Sequence, residues 1–239
     1  MLQSKTFTRE LKKHDFRVAI FGSARIKKND KIYRLVYNLA KQIGKHHFDL
    51  VTGGGPGLME AANRGHSVGD PRKHSDNIGL PIELPWEAEE NKHLEIKRHF
   101  NKFSKRLDYF MTLSSAMVVT PGGIGTCLEL FYAWQLIQVK HIHPIPIILV
   151  GKMWEELIKW VKKYPLKHAL ISPEDMNCIH IAKNSKQAME IILDSHRNFV
   201  SGKSQDNSEY LSRRLVEKVE EEVKETIKKV KSSKPNGKK

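Results

Sequence analysis

The residues best suited to chemistry in this 239-residue chain lie in one short run, Pro121-Gly122-Gly123-Ile124-Gly125-Thr126, with Glu129 three residues further on. A glycine turn that leaves a buried strand and opens a helix points backbone N–H groups and the positive helix end at an anion. The glycines let a phosphate approach the backbone closely, and the Thr126 hydroxyl can add one more hydrogen bond. A tight turn with no ligand would look the same. Glu129 follows Thr126 by nearly one helical turn, so its carboxylate can share the face that looks into the phosphate site. An acid beside a phosphate is electrostatically awkward. Glu129 is therefore either decoration on a helix surface or a carboxylate placed for a sugar.

A second glycine turn, Gly53-Gly54-Gly55-Pro56-Gly57, precedes the Met59-Glu60 segment, and Gly22-Ser23-Ala24-Arg25 follows the first apolar run. Turns at the carboxyl ends of neighbouring strands would line one crevice. Neither the GxGxxG spacing of a dinucleotide fingerprint nor a GxxxxGK[ST] phosphate loop occurs in the chain, which argues against NAD-type and ATPase readings. Lys97, Arg98, Lys102, Lys105 and Arg106 cluster upstream of the main motif; most of them read as a solvated basic face. His141 and His143 alternate around Ile142 with no third ligand implied, so no metal is expected there.

The elements that must position these groups alternate in type. Short β-branched runs are followed by stretches with apolar residues three and four apart, the pattern of βαβ units around a parallel sheet. Strands are predicted at Arg17–Phe21, Asp49–Thr52, 78–84, 116–120, 145–150 and 178–182. Helices are predicted after Asp30, over 59–65, as a basic helix over 95–110, over 125–139 and near 187–194. The result is an α/β, Rossmann-like, doubly wound parallel sheet over 17–198, preceded by an N-terminal extension, 1–16. After about Asn198 the composition turns linker-like. A charged amphipathic segment then carries Leu211, Leu215, Val219, Val223, Ile227 and Val230, so residues 199–239 read as a basic helical tail with a disordered end.

Composition bounds the partners. Lys and Arg outnumber Asp and Glu by 41 to 27, a net charge of +14, and 39% of residues are apolar. The chain can bury a sizeable core, and its partner or substrate is expected to be anionic: a nucleotide, a nucleic acid or an acidic surface. Nucleic acid is not the favoured choice. Its longest apolar stretch, Ile145 to Val150, is far short of the roughly 20 residues that span a bilayer, so no membrane segment is expected. The start of the chain lacks an apolar leader, and two cysteines in unrelated contexts form no disulfide framework. A cytoplasmic location fits both.

Together these motifs resemble one family. Pro121-Gly122-Gly123-x-Gly125-Thr126-x-x-Glu129 is similar to the PGGxGTxxE signature of the Lonely Guy (LOG) phosphoribohydrolases, long labelled lysine decarboxylases. Further matches are Phe21-Gly22-Ser23-Ala24-Arg25, the run from Thr52-Gly53-Gly54-Gly55-Pro56-Gly57 through Asn63-Arg64-Gly65, and Ile82-Glu83-Leu84-Pro85. Arg106 stands where the family carries its functional arginine; Leu107 and Leu128 depart from its usual lysine and frequent second glutamate. The resemblance covers about Val18 to Ile192. It implies hydrolysis of the N-glycosidic bond of a nucleoside 5′-monophosphate, AMP or AMP substituted on its exocyclic amine, without a cofactor, in a homodimer or higher homo-oligomer. Glu129 and Arg106 would be catalytic. Gly122, Gly123, Gly125 and Thr126 would hold the 5′-phosphate, with Gly22, Ser23, Gly54, Gly55 and Glu60 also lining the nucleotide site. The alternative is a carrier or sensor of the same fold that binds a nucleotide or cofactor without cleaving it.

Overall fold

The computed structural model describes residues 13–83 and 91–202. Seven parallel strands form one sheet in the order β4-β3-β2-β1-β5-β6-β7. They are β1 (Arg17–Phe21), β2 (Asp49–Thr52), β3 (Asn77–Gly79), β4 (Ile96–Lys97), β5 (Ala116–Val119), β6 (Ile147–Val150) and β7 (Ile179–Ala182). Among the described residues five α-helices connect them and a sixth follows β7: α1 (Lys31–Lys45), α2 (Leu58–Gly69), α3 (Phe103–Leu113), α4 (Ile124–Gln138), α5 (Lys152–Val161) and α6 (Ser185–Val200).

Alternation along the buried strands explains why helices cover both faces. In β1, Ala19 and Phe21 join one core with Met117, Val119, Ile147 and Leu149. Val18 and Ile20 join the opposite core with Leu50, Val118, Ile148 and Val150. Tyr109, Phe110 and Met111 of α3 and Leu130, Ala133 and Trp134 of α4 close the first. Val36, Leu39, Ala40 and Ile43 of α1, Ala61 and Ala62 of α2 and Ile192 of α6 close the second. Fully burying each of the larger apolar side chains contributes about 1.5–3 kcal/mol. Asp30 caps α1, accepting from the Ile32 N–H at 2.7 Å, as its place before the helix implies.

The chain reverses direction at β1. It runs outward through β2, β3 and β4, then returns to lay β5 on the other side of β1. The helices that follow β1 and β5 therefore cover opposite faces of the sheet, and the carboxyl ends of these two strands form the kind of switch point at which a ligand crevice lies in open α/β sheets. The loop after β2 borders the same crevice.

Several boundaries differ from the sequence expectation. The basic helix expected over 95–110 does not form as one piece. Ile96–Lys97 pairs with Ile78–Gly79 as edge strand β4, and the helix begins at Phe103. The third strand stops at Gly79, with one isolated bridge from Ile82 to Phe100 beyond it. The fifth and sixth strands are shorter than expected, because Thr120 leaves the ladder and Ile147 begins after Pro144 and Pro146. Helix α5 was not foreseen, and α6 extends over 16 residues from an Asn184 cap. The amphipathic tail and most of the N-terminal extension lie outside the described residues.

Candidate active site

Strand β5 ends at Val119, and Pro121-Gly122-Gly123 carries the backbone into α4 at Ile124. No side chain caps this helix, so its first N–H groups are available to a ligand. Thr126 is buried, its side chain packed beneath Gly122 where any Cβ would collide with it. Gly123 and Gly125 are different: a Cβ on either would meet open space, and neither has the positive φ that favours glycine. Ile124 between them is 87% exposed.

Three loops are tied into one floor by backbone bonds. Ser23 donates its N–H to the Pro121 carbonyl at 3.0 Å and accepts from the Leu58 N–H at 3.0 Å. Its hydroxyl accepts from the Arg25 N–H, so Ser23 holds its own turn as well. Gly22 lies where a Cβ would strike Thr120 and Leu58. Gly57 adopts φ +69° against the backbone of Ser23 and Ala24, leaving no room for a side chain.

The turn after β2 is anchored from below by a buried amide network. Asn63 accepts from the Thr52 hydroxyl at 2.8 Å and from Asn91 Nδ2 at 2.9 Å, and its own amide donates to Asn77 at 2.5 Å. Thr52 in turn accepts from the Gly54 N–H at 3.0 Å. Asn91 completes the cover by donating to the Gly54 and Gly55 carbonyls. Gly54 thus spends both backbone polar groups, and Gly55 its carbonyl, inside the protein. Glu60, in the first turn of α2, pairs with Lys28 at 2.9 Å.

Above this floor the structure brings together the two groups that sequence reasoning proposed as catalytic. Arg106, 8% exposed on α3, donates its Nε–H to the Leu80 carbonyl at 2.7 Å. Its guanidinium lies against Gly53, where a Cβ would displace it, and 5.2 Å from the centre of the Phe110 ring. Its Nη1 stands 3.5 Å from Glu129 Oε1, and the Glu129 side chain is 12% exposed. Burial pushes the Glu129 carboxyl up to about 7, with Arg106 pulling the other way. Burial also lowers the Arg106 value, opposed by Glu129. The pair can hold a carboxylate that takes or gives a proton near neutral pH.

A hydrogen bond between the two helices sets their spacing. Tyr132, three residues after Glu129, donates its hydroxyl to Asp108, two residues after Arg106, at 2.6 Å. Burial and the Asp108 charge raise the phenol's pKa, keeping it a donor. Sequence reasoning did not single out Asn63, Asn77, Asn91, Asp108 or Tyr132; their roles arise from contacts that carry no local period. Leu107, at the position where the family usually carries a lysine, is buried in α3.

A family model described as "Possible lysine decarboxylase" matches residues 59–192. The pyrimidine/purine nucleotide 5′-monophosphate nucleosidase of Escherichia coli is 25% identical over 196 residues, which cover 76% of this chain and 42% of that protein. The chain thus spans about two fifths of the length of that relative. Among solved structures, the molybdenum cofactor carrier protein of Chlamydomonas reinhardtii superposes with a TM-score of 0.57 at 20% identity, covering 77% of this chain and 99% of that one. The molybdenum cofactor binding protein of Rippkaea orientalis gives 0.54 at 19% identity, covering 75% and 94%. DNA processing protein A of Helicobacter pylori gives 0.50 at 15% identity, covering 78% and 84%. These structures share the fold.

Proposed function

The chain belongs to the LOG-like possible lysine decarboxylase family, and from that premise we propose that it hydrolyses the N-glycosidic bond of nucleoside 5′-monophosphates. The observation that carries this reading is the buried Arg106–Glu129 pair beside a glycine turn whose Gly123 and Gly125 face open space. The nucleosidase relative supports the same reaction class. The label of decarboxylase fits less well. The cation at the centre is a guanidinium, which forms no imine with a cofactor aldehyde.

In the proposed reaction the 5′-phosphate sits at the start of α4 on the N–H groups of the 122–126 turn. Phosphate binding then positions the ribose over Glu129, so remote binding energy serves the reacting carbon. The C1′–N bond breaks toward an oxocarbenium-like state, which the Glu129 carboxylate stabilises. Water adds to C1′ and gives its proton to Glu129, which passes it to the departing base nitrogen, so the carboxylate is restored. The products are the free base and ribose 5-phosphate. Arg106 orients Glu129 and holds the phosphate or the ribose hydroxyls. Gly22, Ser23, Gly54, Gly55 and Glu60 shape the remaining walls.

The family resemblance further implies a homodimer near this site. Ile124, Leu128 and Phe131 are exposed at helical spacing on α4 and supply an apolar stripe for a second copy. Carriage without cleavage is the second reading, favoured by the +14 charge and consistent with the cofactor carriers that share the fold. Incubating the protein with a panel of nucleoside monophosphates and separating the products decides between them. Hydrolysis predicts base release by wild type and not by Glu129→Gln or Arg106→Ala. Binding without release in every case would transfer the protein to the carrier reading.

A further inference from the structure

The opposite end of the sheet carries a second cluster of chemically capable side chains. His47 lies just before β2, and Asp70 and His74 lie in the connection from α2 to β3. The cluster is thus separated from the glycine turn after β2 by that strand's length, about 13 Å at 3.3 Å per residue. Asp70 Oδ1 stands 3.1 Å from His74 Nδ1 and 3.4 Å from His47 Nδ1. The three ligand atoms all fall within 4.8 Å of one another. Two ligands on a tetrahedral zinc ion, with bonds near 2.05 Å, stand about 3.3 Å apart. The separations to Asp70 bracket that edge.

The carboxylate is fixed in advance. Asp70 Oδ2 accepts from the Ser75 N–H at 2.8 Å and from the Ser75 hydroxyl at 2.7 Å. Behind Ser75, His66 Nε2 lies 3.2 Å from that hydroxyl and 2.9 Å from the Phe48 carbonyl. Outer partners of this kind orient metal ligands. The Asp70 side chain is 1% exposed, whereas those of His47 and His74 are 54% and 52% exposed, so an ion could enter directly from solvent. His47 ends α1 with φ +56°, a conformation a glycine would adopt more cheaply, and that turn sets its ring 4.6 Å from the His74 ring. Lys73, the nearest cation in sequence, is drawn off by Glu95 at 3.0 Å. A cavity of about 350 Å³ opens beside both imidazoles.

We propose that His47, Asp70 and His74 bind a borderline divalent transition-metal ion of the Zn²⁺ class, with the fourth position left to water. Two imidazoles and one carboxylate select such ions over Mg²⁺ or Ca²⁺, which prefer all-oxygen sites. The ion would tie the α1–β2 connection to the α2–β3 connection at the edge remote from the crevice. It belongs to the fold and takes no part in the nucleotide chemistry.

Calorimetric titration of tag-free, chelator-stripped protein with ZnCl₂ tests this, comparing wild type with His47→Gln/His74→Gln and with His46→Gln/His196→Gln as a control for neighbouring imidazoles. One equivalent is expected to bind wild type and the control, with at least a hundredfold loss in the His47/His74 variant. Ser75→Ala is expected to lose about tenfold, the range for an outer-shell partner. Added Zn²⁺ is expected to raise the melting temperature of wild type and not that of the His47/His74 variant. The exposed imidazoles leave the fold of that variant intact, checked by its melting temperature in chelator. Absence of saturable binding to wild type, or equal binding by wild type and the His47/His74 variant, overturns the site. Nucleotide hydrolysis is a separate readout, so neither result depends on the proposed activity.

Discussion

The two glycine turns at the crevice look alike as sequences and are held in opposite ways. In the turn after β2, Gly53 makes room for the Arg106 guanidinium and Gly57 for the backbone of Ser23 and Ala24. In the turn after β5, only Gly122 is demanded by the protein's own packing. Among the described residues, Gly123 and Gly125 have no neighbour that excludes a side chain, and neither has a φ that requires glycine. The first turn is glycine-rich for internal reasons. In the proposed reaction the second turn's glycines answer to the phosphate instead.

That contrast is sharpened first by the acid on α4. Glu129→Gln is expected to lower base release by about 10²- to 10⁴-fold, while equilibrium dialysis shows nucleotide binding retained. Its pH behaviour has a definite sign. The folded state holds the proton to about pH 7, so wild-type stability relative to the Gln variant falls as pH rises from about 4.5 to about 7. Denaturant melts across that window measure it, and a flat difference would break the assignment. Over the same window the rate is expected to rise as the carboxylate forms, levelling above about pH 7.

Next come changes beneath the internally held turn. Asn63→Ala strands Thr52, Asn77 and Asn91 without their shared partner and is expected to cost about 3 kcal/mol in urea unfolding. Gly53→Ala forces Arg106 or Met59 aside at an expected cost of about 2 kcal/mol, and base release falls with it. Gly125→Ala should do the reverse: stability stays within about 0.5 kcal/mol of wild type, yet nucleotide affinity drops about tenfold. If Gly125→Ala instead unfolds the protein, the two turns are not different in kind.

How much of this was legible in the sequence follows the same division. Strands β1, β2, β5 and β6 are buried on both faces; β5 and β6 read as unbroken apolar runs, while β1 begins at Arg17 and β2 is bounded by Asp49 and Thr52. Arg106 and Glu129 were visible through motif spacing. The family resemblance also implied that Arg106 orients Glu129; the burial and the 3.5 Å separation of the pair were not legible, because α3 and α4 are separated by a whole strand. Strand β4 is two residues at a sheet edge, flanked by Glu95 and Arg98, whose N–H groups donate to the Asn77 and Gly79 carbonyls. A run that short carries no period. The asparagine network joins residues 14 and 28 positions apart, and the His47–Asp70–His74 cluster joins two separate connections. No window along the chain contains either.

The Tyr132–Asp108 bond gives the crevice a fixed pivot. It joins α3 to α4 two residues from Arg106 and three from Glu129, and so restrains the two helices from sliding past each other. Loosening the pivot with Tyr132→Phe would leave both charges in place on backbones free to drift, and the damage would appear as a spread of crevice geometries, only some of them fit to react.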